Sequence, residues 1–240
     1  MSKVTIHLLL LSFAILLFGA AGGSLMTRKM ADGAAGWHFF RCVLPFFAAI
    51  FLCQCLVFAR ARTRLLYQLL FLGLLGWTMT GFLLSIILPV FWISPMAAAW
   101  KVVLAAVFAA ILVYNLAFGW RTLNQRWAEL GAAAFEREFK PRDGTVNWDQ
   151  VMRTLRIAPA IVLPGVPARW SAAVWVAMAA AVIPGLLMKS SWPAFSAFSW
   201  GMPAILIAAC FNQYSGSWFA QALTVRQLEK QGQIILPACG

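Results

Sequence analysis

Acidic side chains are nearly missing from this chain: 7 Asp and Glu stand among 240 residues, against 19 Lys and Arg. Histidine is scarcer still, with His7 and His38 alone. These two shortages remove whole classes of chemistry, because general acid–base catalysis, intramembrane proton relays and metal centres draw on such groups. No carboxylate falls within an apolar run. Asp32 follows the first run, Glu129, Glu136, Glu138, Asp143 and Asp149 share one basic loop, and Glu229 lies near the C-terminus. Proton-coupled transport therefore lacks its usual acid. His7 and His38 are expected on opposite sides of a membrane, so they cannot hold one haem or one metal ion together.

The signature loops of catalysis are missing too. Ser215-Gly216-Ser217 has no Gly-x-Ser-x-Gly frame, and no glycine-rich phosphate loop ending in Lys occurs. Of the 5 cysteines, Cys42, Cys53, Cys55 and Cys210 lie in apolar runs, where Cys behaves as a small hydrophobe; Cys239 is near the end. Cys53 and Cys55 point roughly 200° apart on a helix, so neither a chelating pair nor a disulfide framework is indicated. An enzyme is not expected, and no cofactor or metal.

Apolar residues are what the chain does have: 62% are hydrophobic and 11% charged, where a soluble domain is about 45–50% apolar and roughly 25% charged. The surplus has to face lipid. Runs at 5–26, 37–58, 65–93, 99–120, 170–188 and 195–214 each approach the roughly 20 residues that a helix needs to cross a bilayer. The expected fold is an all-α integral membrane protein, a bundle of about six transmembrane helices with a short amphipathic helical cytoplasmic loop. Residues 1–120 carry the first four helices, 121–169 the basic loop, 170–214 the last two helices and 215–240 a cytoplasmic tail. The third run is long enough to tilt, or to bend at Pro89. Pro45, Pro184 and Pro203 fall inside other runs, where neighbouring helices can satisfy freed carbonyls. The first run, with Lys3 before it and Gly19-Ala20-Ala21 near its end, also admits reading as a cleaved signal peptide.

Orientation follows from the cations. With both termini inside, the inner segments hold 14 Lys and Arg and the outer segments 5, the bias of a cytoplasmic (bacterial inner) membrane. The first hairpin alone disagrees, since Arg28, Lys29 and Arg41 lie outside. Trp37, Trp92, Trp100, Trp120 and Trp170 fall at run ends, with Trp192 in the last outer loop. Tyr67, Tyr114 and Tyr214 lie toward cytoplasmic ends, as interfacial aromatics do. The net charge of +12 is thus read as topology and as attraction to anionic headgroups. Nucleic acid is not expected, because no basic stripe with exposed aromatics stands clear of the membrane.

The loop's first part reads as a helix that continues the fourth span, with Leu123, Trp127, Leu130 and Ala134 on one face. Pro141 and Asp143-Gly144 end it. A second helix follows, capped by Asn147 with Gln150 three residues on. Its apolar face is Trp148, Val151, Met152 and Leu155, and Arg153 and Arg156 lie outside that face. Such a helix is expected on the membrane surface or against a partner protein, with Trp127, Trp148, Arg153 and Arg156 as contacts. The apolar stretch 157–166, broken by Pro159 and Pro164, reads as interfacial or shallowly re-entrant. In the tail, Ser215-Gly216-Ser217 is expected to break the chain, with a short helix from Trp218 to about Gln231 and a stop at Gly232. Ile234-Ile235-Leu236-Pro237 either packs under the bundle or binds a partner.

Small residues recur every four positions at Ala173, Ala177, Ala181 and Gly185, at Ala105/Ala109 and Ala106/Ala110, and at Gly19/Gly23. They let helices approach closely, within this bundle or in a homo-oligomer. Gln54, Gln68, Asn115, Asn212 and Gln213 fall in the cytoplasmic third of four spans. They either form one polar layer around a shallow cytoplasm-facing cavity or sit where an amide costs little. The expected function is non-catalytic binding of another protein, as a subunit of an envelope or secretion complex or as an immunity protein against a membrane-targeting toxin. The alternative is a small-solute permease or channel subunit without proton coupling. That reading expects paired broken helices, and Pro184-Gly185 has no counterpart three spans earlier.

Overall fold

A backbone in hydrocarbon has no water to bond, so it must satisfy its own N–H and C=O groups, and helix is the local way to do so. The computed structural model describes residues 3–60, 64–93, 97–140, 145–155, 170–188, 190–232 and 236–237. In chain order these form α1 (Lys3–Met30), α2 (Gly33–Arg60), α3 (Leu65–Ile87), α4 (Val90–Ile93), α5 (Ala98–Arg126), a π-helical turn (Trp127–Gly131), α6 (Ala132–Glu138), the two-residue strands β1 (Phe139–Lys140) and β2 (Thr145–Val146), α7 (Trp148–Leu155), α8 (Ser171–Leu187) and α9 (Pro193–Gly232). Arg156, the stretch 157–166, Pro141, Asp143-Gly144, Ile234-Ile235 and Cys239 lie outside the described residues.

Among the described residues five helical runs are long and apolar enough to cross a membrane: Ile6–Met30, Gly33–Arg60, Leu65–Ile93, Ala98–Glu138 and Pro193–Gly232. The sixth expected run is shorter than its hydropathy suggested. Its helix α8 has 17 residues, a rise of roughly 26 Å against a hydrocarbon core of about 30 Å. Apolar side chains also lie on the outside of the spans. Phe18 is 72% exposed and Leu187 79%, which suits side chains bathed in lipid. Pro89 acts where expected: α3 stops at Ile87, Leu88 and Pro89 form a turn, and α4 resumes at Val90. Pro45, Pro184 and Pro203 stay within α2, α8 and α9.

Helices α3 and α9 form the centre and run antiparallel. Gly73 faces Phe219, Gly76 faces Ser215 and Gly201 faces Ile87. The α1/α2 hairpin packs on one side of α3, around Leu16, Ala20, Phe39, Phe47 and Ile50. On the other side α5 runs in the same direction as α9, with Phe108 against Ile205 and Leu123 against Ala220. The two cross at Gly119 and Gly216. A Cβ on Gly119 would strike the Gln213 carbonyl, and one on Gly216 the Leu116 carbonyl. Helix α8 lies antiparallel to α9: Gly185 meets Ser199, whose hydroxyl donates to the Ala181 carbonyl. Of the small-residue row on α8, Ala181 and Gly185 thus turn toward α9, whereas Ala173 and Ala177 are exposed.

Two spans outrun any bilayer. The 40 residues of α9 rise roughly 60 Å, and the 41-residue run Ala98–Glu138 about as far. Both surpluses project at the end of the bundle that carries Arg60, Arg64, Arg121 and Arg226, called here the basic end. The break expected at Ser215-Gly216-Ser217 is not there, since α9 runs unbroken to Gly232. Ser215 bonds its hydroxyl to the Phe211 carbonyl within the helix (3.0 Å), and Gly216 serves the close approach of α5 instead of a turn. The helix does end at Gly232. The chain then folds back: the Leu236 N–H donates to Glu229 (3.0 Å), its carbonyl accepts from the Leu65 N–H (3.1 Å), and its side chain is fully buried under the bundle.

The π turn shifts the buried face of the long helix by one residue. Its bonds reach i+5 in place of i+4, so Gly131 turns inward beside Ala134, while Leu130, expected on one face with Leu123, Trp127 and Ala134, is 43% exposed. Beyond α6 a minimal antiparallel pair forms, Phe139 opposite Val146 and Lys140 opposite Thr145.

Candidate functional site

The projecting ends of α5 and α9 gather the loop that follows them. At the start of α7, Asn147 caps the helix, its Oδ1 accepting the Gln150 N–H at 3.3 Å. This places Trp148, Val151 and Leu155 on one buried face. The Trp148 indole Nε1 donates to Gln221 Oε1 (3.0 Å), and Gln221 Nε2 donates to Ser217 Oγ (3.3 Å). The Trp127 and Trp148 rings meet at 5.7 Å. Val151, Leu65, Leu69, Ala222, Val225 and Leu236 share this core. The apolar face expected on the membrane surface or on a partner is therefore covered by the chain's own α9, α3 and C-terminal segment. Among the four contact residues expected there, Trp127 and Trp148 turn inward, Arg153 is exposed and Arg156 is outside the described residues.

The outer surface of this body is charged. Arg126, Arg137, Arg153, Arg226 and Lys230 are exposed, with Glu129, Glu136 and Asp149 among them. Arg126 pairs with Glu129 (3.3 Å) and Arg137 with Glu138 (3.8 Å). Water screens such exposed pairs, and each contributes about 0–1 kcal/mol, so the charges remain available to an approaching surface.

The five amides do not close one layer. Gln54 belongs to a buried triangle that joins α1, α2 and α3: its Oε1 accepts the Ser12 hydroxyl (2.5 Å), its Nε2 donates to Thr78 (2.8 Å), and Ser12 and Thr78 bond each other (2.8 Å). Asn115 and Gln213 join α5 to α9, with Gln213 Nε2 donating to Asn115 Oδ1 (2.6 Å) and Asn115 Nδ2 to the Ile111 carbonyl (2.7 Å). The body of α3 and α9 stands between these two seams. Gln68 is half-buried on α3, and Asn212 is buried in the wall of a lateral cleft. Sequence reasoning missed Ser12 and Thr78. The signal was there, as hydroxyl residues inside apolar runs on helices that must face an amide.

These clusters can hold hydrogen bonds but carry no titratable group. Among the described residues no three His, Cys, Asp or Glu gather to hold a metal ion. His7 and His38 are exposed near the starts of α1 and α2, at opposite ends of that hairpin. Cys42, Cys53, Cys55 and Cys210 are free thiols. At the end opposite the basic one, a cleft of about 560 Å³ opens between α1 (Met26, Lys29), α8 (Leu186) and α9 (Ser196, Trp200). No protein-family model, no curated protein and no solved structure matches this chain.

Proposed function

We propose that the chain is a six-span protein of a bacterial inner membrane, with both termini in the cytoplasm, that acts without catalysis by binding another protein through its basic end. Direction supports the sixth span. Helix α9 begins at the end opposite the basic one and runs parallel to α5, while α7 is packed at the basic end. The chain between Leu155 and Pro193 therefore has to recross, and α8, antiparallel to α9, is the helix placed to do it. Exposed Trp170 and Trp192 flank it, and a slightly short span is accommodated by local thinning of the bilayer. The positive-inside bias then puts the basic end in the cytoplasm.

One observation carries the binding role. Two spans continue about a bilayer thickness past the membrane and, with the start of α3, α7 and Leu236, fold around an apolar core. Anchoring alone needs no such body. Its outward face presents Arg126, Arg137, Arg153, Arg226 and Lys230, which suits a partner with an acidic surface, as a subunit of an envelope or secretion complex or as an immunity protein. Purification in mild detergent should retain a reproducible stoichiometric partner. Arg137→Glu with Arg153→Glu should release it, as should raised salt, because rim charges act mainly on association rate and screening. A folded protein that repeatedly purifies alone would sink the reading. A second reading, a small-solute permease, is favoured by the 560 Å³ cleft with Lys29 at its edge. Solute flux into liposomes holding the purified chain alone would select it.

A further inference from the structure

Asn212 is 5% exposed and makes no side-chain hydrogen bond among the described residues. Among the described residues no side-chain nitrogen or oxygen that is fully shut off from the surface lacks a partner, so this amide must reach the surface. The surface it lines is a lateral cleft of about 210 Å³, floored by Thr80 and Leu84 of α3 and walled by Phe46 of α2 and by Val113 and Leu116 of α5. Thr80 is already engaged, donating to the Ala208 carbonyl at 3.4 Å. The cleft opens sideways from the bundle, where Val113 is 63% exposed. In a membrane that side is lipid, and an amide there with no partner among the described residues calls for a hydrogen-bonding group carried by the lipid itself.

Depth identifies the group. From Pro193 to Asn212 is 19 residues of continuous α9, a rise of roughly 29 Å, close to the hydrocarbon thickness of about 30 Å. With Pro193 at one boundary, Asn212 stands at the other, on the side of the basic end. Tyr214, exposed and stacked on Trp218 (5.8 Å), marks the same level. The groups at that depth are the ester carbonyls of diacyl phospholipids, which accept hydrogen bonds. From there Leu116, Val113 and Leu84 line an apolar path toward the membrane centre.

We propose that this cleft is a phospholipid site: Asn212 Nδ2 donates to an ester carbonyl oxygen of a diacyl phospholipid in the leaflet at the basic end, and one acyl chain lies along Val113, Leu116 and Leu84. The proposal rests on the membrane reading above but not on the partner. Failure of the membrane reading would show earlier, as a chain that leaves the membrane fraction without detergent.

The test uses delipidated full-length protein in detergent, titrated with diacyl phosphatidylglycerol and with its dialkyl-ether analogue, which lacks the carbonyls, and bound lipid is counted by native mass spectrometry. The diacyl lipid should be retained roughly three- to twentyfold more tightly, the effect of one hydrogen bond in this setting. Asn212→Leu should erase the preference. Val113→Trp, at an exposed position, should fill the cleft and weaken both lipids with the amide untouched. Equal retention of the two lipids by the unaltered protein overturns the proposal, as does an undiminished ester preference in Asn212→Leu or undiminished retention of both lipids in Val113→Trp. So does a dimer that Val113→Trp dissociates, since a second copy would then be the occupant.

Discussion

Removing the indole of Trp148 should open the body at the basic end without unfolding the spans. Helix α7 has 8 residues, too few to be stable alone in water, so its order comes from docking. Trp148 supplies a ring that is 5% exposed and the donor to Gln221. Trp148→Phe keeps most of the ring and removes the donor. Gln221, itself buried, is left with an unpaired carbonyl oxygen, a cost of about 1–3 kcal/mol. Trp148→Ala removes the ring beside Trp127 and leaves a cavity, a cost of about 3–5 kcal/mol. At roughly 1.4 kcal/mol per factor of ten, the open population of α7 should rise roughly 5- to 150-fold for Phe and further for Ala. Hydrogen–deuterium exchange of residues 145–155 in nanodiscs reads this directly, with α3 as the internal reference. Adding Gln221→Leu to Trp148→Phe should restore part of the protection, because losing both partners costs less than orphaning one. Unchanged exchange in Trp148→Ala, or a double variant worse than the sum of its parts, would refute the docking described here.

At the α5/α9 crossing, Gly119→Ala and Gly216→Ala each press a methyl group onto a backbone carbonyl that cannot swing aside, and should cost about 1–3 kcal/mol, lowering the unfolding temperature in detergent. Gly22→Ala, where an added Cβ meets nothing within 4 Å, is the control; equal behaviour of all three would disprove the crossing. For topology, a reporter active only outside the cytoplasm should work when inserted at 190–192 between α8 and α9 and stay silent after Gly240. Silence at 190–192 together with activity after Gly240 would mean that α8 does not cross.

The helices were legible because hydrocarbon leaves the backbone one local solution and apolar length declares it. Local punctuation was legible where a residue has a single mechanical use: Pro89 interrupts α3, Asn147 caps α7 and Gly232 ends α9. Ser215-Gly216-Ser217 misled because glycine has two uses, turn and close approach, and only the position of α5 decides between them. For α7, periodicity announced an apolar face but not its cover. Gln221, Ala222, Val225 and Leu236 come from far along the chain. The amides fall in the same third of their apolar runs, yet Gln68 lies well down α3 from Thr78, the partner of Gln54, and position around the bundle axis separates Gln54 from Asn115 and Gln213. Ser12 and Thr78 escaped notice because a hydroxyl can also satisfy itself on its own helix, as Thr78 does in part at Leu74 (3.3 Å).

Helix α8 shows how length and direction constrain topology differently. By length it falls short of the five longer runs. By direction, the parallel course of α5 and α9 leaves the connecting chain on the wrong side unless it returns, and α8 lies antiparallel against α9 at Gly185 and Ser199. Hydropathy sets which helices are able to cross, whereas the handing of the chain from one end of the bundle to the other sets how many have to. On the proposed topology that requirement outweighs a shortfall of roughly 4 Å in rise, since thinning a bilayer costs only fractions of a kcal/mol per Å. Leaving α8 outside would instead strand the start of α9 across a membrane from the helix that precedes it.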